Sequence, residues 1–186
     1  MDVTYIWSQI FTVVEYGLLG WSYFAKKRKL VVILDIFSMI SGIIAFILLG
    51  ADLGMALSVI VLLANFYYLW DENERKKKDS KKYFVRDYVA IGIVLMGIAV
   101  VTFLTYDGPL SLLSVLATTL YEVSIWQKST KVYKFLGIPV AFCWMSYNGF
   151  VRSIFGVICE AGMLISSIWG YVNEIRGSKK KGKRRK

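Results

Sequence analysis

Residues 26–50 read KKRKLVVILDIFSMISGIIAFILLG, four basic residues followed by an apolar segment with a single charge, Asp35. A helix rises 1.5 Å per residue, so the apolar part is about 30 Å long, which matches the hydrocarbon core of a bilayer. Charged side chains are costly inside that core. The stretch therefore predicts a transmembrane helix that begins beside a basic cluster.

The same alternation of apolar and charged segments continues along the whole chain of 186 residues. Apolar side chains make up 56% of it and aromatic ones 16%, too much for a soluble domain of this size. Seven spans of about 20 residues would use roughly 140 residues and leave no room for a soluble catalytic domain. The predicted spans are 3–25, 30–50, 53–70, 87–106, 109–126, 134–150 and 152–174.

The basic residues predict how these seven segments are oriented. If all seven cross the membrane, 22 of the 23 Lys and Arg lie on one side and only Arg152 on the other. Because basic loops stay in the cytoplasm, we expect an outside N-terminus and an inside C-terminus. The first segment follows Asp2 and no basic residue, so it is predicted to be a span and not a cleaved signal peptide.

The net charge of +10 follows from the same arrangement. We predict a basic cytoplasmic loop over 71–86 and a disordered basic tail over 177–186, GSKKKGKRRK. Both would lie against anionic lipids at the inner face, where each basic residue contributes about 1 kcal/mol of attraction. A nucleic-acid partner is therefore not required, and RNA or an acidic protein surface is the less favoured alternative.

An internal repeat appears when the chain is shifted by 102 residues, with a shared order of apolar segments and basic stretches. It predicts a parallel 3+1+3 plan, with a first bundle over 1–70, a linker helix over 87–106 and a second bundle over 107–176. Such repeats place a substrate path between the bundles. The matched positions are Phe24 to Lys26 with Trp126 to Lys128, Gly54 with Gly156, Tyr67 with Trp169, and Glu72 with Glu174.

Four carboxyl side chains fall inside the predicted spans. Glu15 and Glu160 lie deep in theirs, whereas Asp35 and Glu122 lie about one turn from the inner interface. No Lys or Arg of a span core can pair with Glu15 or Glu160, so these two are protonated, hydrogen-bonded or facing water. Small and hydroxyl residues share their helix faces, which also fits close helix packing without any transport role. Those residues are Ser8 and Thr12; Ser38 and Gly42; Ser111, Ser114 and Thr118; Ser153, Gly156 and Ser167.

The turn between the last two spans adds aromatic and amide groups. Trp144 and Glu160 lie at similar distances from this turn, with Tyr147 and Asn148 above them. An interfacial aromatic belt is the alternative explanation for the two rings. Asn65 and Ser167 are equivalent positions along the expected path. The candidate substrate- or proton-binding residues are Glu15, Asn65, Trp144, Tyr147, Asn148 and Glu160.

Several classes of chemistry find no support in the sequence. The chain has no histidine, which excludes His-rich metal sites and imidazole relays. Cys143 and Cys159 form no CxxC pattern and lie in apolar runs, as buried inert thiols do. We therefore expect no metal, no cofactor and no enzymatic activity.

The run W-x2-[Y/H]-N-x4-S-x2-G-x3-E, from Trp144 to Glu160, resembles the YgjV family of bacterial inner-membrane proteins. Trp7, Gln9 and the aromatic and basic stretch from Phe24 to Lys29 are similar too. The resemblance implies a multi-pass protein of the bacterial inner membrane. More distantly, the family is similar to the SWEET, PQ-loop and PnuC transporters, although no Pro-Gln pair occurs in this chain.

Two functions remain open at this point. The repeat and the intramembrane glutamates favour a transporter or facilitator for a small polar solute, coupled to protons if a glutamate exchanges its proton. The alternative is a non-transporting assembly or lipid-binding component that docks partners through its basic surface. Homo-oligomers are compatible with both.

The orientation is testable by cysteine labelling, in a protein whose Cys143 and Cys159 are replaced by serine. Cysteines introduced at Asp52 and Asp107 should react with an impermeant thiol reagent added to intact cells, because both lie in predicted outer turns. A cysteine at Ser129 should remain unlabelled, and its labelling in sealed cells would contradict the seven-span arrangement.

Overall fold

The computed structural model describes residues 3–50, 52–78, 84–104, 108–109, 111–150 and 154–183. Over these residues it contains seven helices and no strand, which confirms the predicted all-helical class. Each predicted apolar segment coincides with one helix. The helices are α1 (Val3–Ser22), α2 (Arg28–Leu49), α3 (Asp52–Lys78), α4 (Val85–Leu104), α5 (Ser111–Trp126), α6 (Thr130–Phe150) and α7 (Ile154–Lys183).

Two helices are longer than predicted. α3 continues through Lys78, into the stretch where we expected a basic loop, and α7 continues through Lys183. The expectation of disorder over 177–186 is therefore wrong for residues 177–183. Glu, Lys and Arg are good helix formers, so a change from apolar to charged residues ends a span without ending the helix.

Several helices present an apolar surface to their surroundings. Three are long and apolar enough to cross a membrane, and a shorter apolar helix covers Leu112–Trp126 among the described residues. On α4, Phe103 is 84% exposed, and many other large apolar side chains of the protein are exposed as well. A surface of this kind is typical of contact with lipid. The three long spans are Arg28–Leu49, Gly54–Arg75 and Val85–Leu104.

Consecutive helices pack against each other, and α1 also contacts α7. Between α1 and α2, Ser38 Oγ donates to Glu15 O at 3.0 Å and Ser41 Oγ to Phe11 O at 2.7 Å. The polar face predicted for α2 is buried at this interface, with Asp35 and Ser38 at 0% exposure. Small hydroxyl side chains thus bring the helices close and satisfy their own hydrogen bonds, as in other membrane bundles.

The ion pairs of the described residues lie at one end of the bundle, which we call the basic end. There α1, α3, α5 and α7 finish, and α2, α4 and α6 begin. Arg28 at the start of α2 pairs with Glu72 of α3 at 3.4 Å and donates to Ile125 O of α5 at 2.8 Å. Lys134 of α6 pairs with Glu174 of α7 at 2.8 Å. These contacts tie the loops of the basic end to the helix ends.

Tyr23, just after α1, joins the beginning of the chain to its last two helices. Its ring stacks on Tyr133 of α6 with a centroid distance of 5.0 Å, and the side chain is 1% exposed. Glycines make room for it: a Cβ at Gly137 would overlap the Tyr23 ring, and a Cβ at Gly170 would overlap its backbone oxygen. α1, α6 and α7 are thus packed around one aromatic residue.

This packing predicts that Gly170→Ala lowers the free energy of unfolding by about 1 to 3 kcal/mol, because a backbone atom must move to admit the methyl group. Gly162→Ala is the matched control on the same helix, since nothing lies within 4 Å of its added Cβ. The control should be neutral or slightly stabilising, because alanine favours helix over glycine. Thermal unfolding of both variants in detergent measures the difference, and equal melting temperatures would contradict the Tyr23 packing.

Candidate functional site

A hydrogen bond between α1 and α7 holds the carboxyl group that the sequence singled out. The Tyr16 hydroxyl donates to Glu160 Oε1 at 3.0 Å, and Glu160 is 5% exposed. Ser167, two turns further along α7, is fully buried and bonds to the backbone of α6. The polar face predicted for α7 therefore faces the other helices, as expected.

Glu15 lies next to this pair. Its carboxylate lies against Gly42 of α2, where an added Cβ would come within 2.5 Å of Oε1. Glu15 and Glu160 are also close enough to interact electrostatically. Among the described residues neither carboxyl group has an ion-pair partner. Two acids and one phenol, from α1 and α7, thus form a small polar group in an apolar bundle.

Asp35 of α2 forms a second polar group with the start of α6. The Tyr133 hydroxyl donates to Asp35 Oδ1 at 3.3 Å and shares a hydrogen bond of 2.6 Å with Ser22 Oγ at the end of α1. Asp35 is fully buried. Its second oxygen, Oδ2, is buried and has no hydrogen-bond partner among the described residues.

Glu122 of α5 is arranged in the same way. The Tyr68 hydroxyl of α3 donates to Glu122 Oε2 at 3.3 Å, while the buried Oε1 has no hydrogen-bond partner in the described part of the chain. Asn65 lies one turn before Tyr68 on α3, so its side chain leaves the helix on the same face. It is fully buried, and neither its amide oxygen nor its amide nitrogen has a hydrogen-bond partner among the residues that the structure describes.

Of the six predicted site residues, five have described side chains, and these five come from four helices, α1, α3, α6 and α7. The structure brings Glu15 and Glu160 together, and Asn65 lies on the helix face that reaches Glu122. Trp144 and Tyr147 are half-buried and contact each other edge to face at 5.9 Å between ring centroids. The side chain of Asn148, together with Arg152 and Ser153, lies outside the described residues. The common depth of Trp144 and Glu160 stays a prediction.

No sequence pattern identifies the residues that bind the carboxyl groups. Tyr16, Tyr68 and Tyr133 are not among the predicted site residues, since no pattern within one helix tells which distant helix a phenol will reach. Asp35 and Glu122 lie near a helix end and are not among the predicted site residues either. The charge that each places in an apolar segment is the signal that could have included them.

At the basic end, an ion network joins α3, α4 and the turn between α5 and α6. Asp87 of α4 accepts hydrogen bonds from Arg75, from Lys128 at 3.1 Å and from the Phe84 backbone at 2.7 Å. Arg75 also binds Asp71, one turn earlier on α3. Since Arg75 and Asp87 are at most 5% exposed, solvent screens this network little. It fixes the position of α4 relative to the helices on either side.

A family model described as Imp-YgjV, bacterial inner membrane protein, matches residues 6–177, which reach from α1 to α7. No curated protein and no solved structure matches the chain. The match confirms the family and the inner-membrane location that the motif from Trp144 to Glu160 implied. The more distant similarity to SWEET, PQ-loop and PnuC transporters stays a prediction.

The ion network predicts that two arginines contribute differently to the free energy of unfolding. Arg75→Gln should lower the free energy of unfolding by about 3 to 5 kcal/mol, because it leaves buried carboxylates without their main partner. Arg86→Gln is the control, since Arg86 also binds Asp71 but is 37% exposed, and its loss should cost about 1 kcal/mol or less. Unfolding in mixed micelles measures both, and a larger loss for Arg86→Gln would contradict the network.

Proposed function

The chain belongs to the Imp-YgjV family of bacterial inner membrane proteins, and we propose that it is a transporter or facilitator for a small polar solute. The path runs between a first group of helices, α1–α3, and a second group, α5–α7, with α4 as the linker. All seven helices cross the membrane, and the basic end faces the cytoplasm. The alternative is a non-transporting assembly or lipid-binding component.

Paired contacts at the basic end support a parallel repeat. Glu72 and Glu174 are 102 residues apart, and each pairs with a basic residue in the first two turns of the preceding helix. Arg28 at the start of α2 reaches the end of α5, and Tyr133 at the start of α6 reaches Ser22 at the end of α1. Such reciprocal contacts are expected for two groups related by an axis along the membrane normal.

The observation that carries the proposal is the placement of three hydrogen bonds between carboxyl groups and tyrosines. Each of them joins the first group of helices to the second, and each lies inside the bundle. A solute or a proton that binds one of these carboxyl groups changes the contact between the two groups directly. The three pairs are Tyr16 with Glu160, Tyr133 with Asp35, and Tyr68 with Glu122.

These bonds suggest how transport proceeds. The two groups rock against each other about a site between them, as in other transporters built from repeats. Glu160 and Glu15 lie where α1 meets α7, so separation of these helices would break the Tyr16 bond and open both carboxyl groups to water. Exchange of protons or solute at these two carboxyl groups in the open state couples solute binding to the movement of the helix groups.

Glu160→Gln tests this assignment. It keeps the shape and an oxygen acceptor for Tyr16 but removes the ionisable group. We expect normal expression and an unchanged or raised melting temperature, together with at least a tenfold loss of uptake or loss of its pH dependence. The assay is uptake by proteoliposomes of nucleosides, vitamins, sugars and amines, with and without a pH gradient.

Glu174→Gln is the matched control on the same helix. Its ion pair with Lys134 joins two helices of the same group, so it should affect stability and leave the pH dependence of uptake unchanged. Normal uptake with a normal pH response in folded Glu160→Gln protein would contradict the role of Glu160. Uptake that never exceeds that of protein-free vesicles would favour the non-transporting alternative.

A further inference from the structure

Three fully buried side chains of the bundle carry polar atoms that have no hydrogen-bond partner among the described residues. They come from three helices, α2, α3 and α5, and each is 0% exposed. The unpartnered atoms are Asp35 Oδ2, Glu122 Oε1, Asn65 Oδ1 and Asn65 Nδ2. A buried polar atom without a partner costs about 1 to 3 kcal/mol, so four of them in one protein interior require an explanation.

These groups share one region of the bundle. Asp35 and Glu122 are close enough to interact electrostatically. Asn65 and Tyr68 project from the same face of α3, and the Tyr68 hydroxyl reaches Glu122. The region lies between the first and the second group of helices, because Asp35 and Asn65 belong to one and Glu122 to the other.

The charge of this region is unbalanced. Neither Asp35 nor Glu122 has an ion-pair partner among the described residues. The Arg28 guanidinium is close enough to interact electrostatically with Tyr68, and it is already bound to Glu72 and to the backbone oxygen of Ile125. The neighbouring rings are those of Tyr23, Tyr68, Tyr121 and Tyr133, all at most 7% exposed. Carboxylate oxygens form strong charge-assisted hydrogen bonds with the N–H groups of an ammonium.

We infer that Asp35, Asn65 and Glu122 form the binding site for the ammonium group of a small primary amine. Three unpartnered oxygens match the three N–H donors of such a group, and one of the two carboxyl groups, ionised, balances its charge. The amide nitrogen of Asn65 is left to donate to a neighbouring oxygen of the same solute. The inference names the substrate class of the transporter proposed above and rests on that proposal for its role in transport.

The site is closed in this structure, since all three side chains are fully buried. The bonds from Tyr133 to Asp35 and from Tyr68 to Glu122 join the two groups of helices, so separation of the groups would admit the amine. Binding would then replace unsatisfied atoms by charge-assisted hydrogen bonds and favour the closed state.

The test is thermal unfolding of the purified full-length protein in detergent, with ethylammonium chloride as the probe. Ethylammonium should raise the melting temperature by about 3 °C or more in a saturable way, because a ligand that binds only the folded state stabilises it. Tetramethylammonium chloride and sodium chloride at equal ionic strength, and ethanol as the neutral analogue, should not. An equal response to ethylammonium and tetramethylammonium would overturn the inference.

Two variants test whether ethylammonium binds at Asp35 and Glu122. Glu122→Gln and Asp35→Asn each keep the shape of the side chain and remove a charge, and each should lower the affinity for ethylammonium at least tenfold. Glu174→Gln, at the basic end, should bind ethylammonium like the original protein. If Glu122→Gln and Asp35→Asn both fold and both keep the original affinity, the site is wrong.

The binding test can fail independently of the transport proposal. Uptake of a neutral solute without any stabilisation by ethylammonium would overturn the amine site and leave the transporter intact. Saturable ethylammonium binding without uptake of any solute would overturn the transporter and leave the site intact.

Discussion

Buried carboxyl groups that have no basic partner among the described residues are the main constraint on this structure. In an apolar environment a polar atom without a hydrogen bond is unfavourable, and an isolated charge is far more so. Glu160, Asp35 and Glu122 each receive one hydrogen bond from a tyrosine of the opposite group of helices. The interface between the groups thus combines these polar contacts with the packing of Tyr23 against α6 and α7. The well-satisfied serine contacts between α1 and α2 lie within one group.

The two ends of the bundle differ in how firmly they are joined. At the basic end, Asp87 collects three donors, and the Trp126 indole donates to the Asp87 backbone oxygen at 2.9 Å. This network holds α4 between α3 and the turn that follows α5. If one group of helices moves relative to the other, the basic end would therefore stay fixed and the displacements would be larger away from it.

The helices and their apolar faces could be predicted from the sequence because both depend on local patterns. An apolar run of about 20 residues bounded by charges specifies a helix of bilayer length in almost any context. The ends of α3 and α7 are harder to predict, since good helix formers such as Glu74 and Lys179 extend a helix beyond its apolar part. Glu15 and Glu160 could be predicted as candidates because a charged residue inside a transmembrane span is rare. The tyrosines that bind the carboxyl groups could not be predicted, because a single sequence does not indicate contacts between residues more than 50 positions apart.

The packing of Tyr23 can be completed only after the last helix has been synthesised. Its partner Gly170 follows 147 residues later in the chain. At a synthesis rate of about 5 to 20 residues per second, the first helical hairpin waits roughly 7 to 30 s for the last helix. Ser22, Tyr23 and Asp35 all contact Tyr133 of α6, so they lack this partner until α6 has been made. A chain that stops before α6 would stay in that condition, so its half-life in the cell should be limited by degradation.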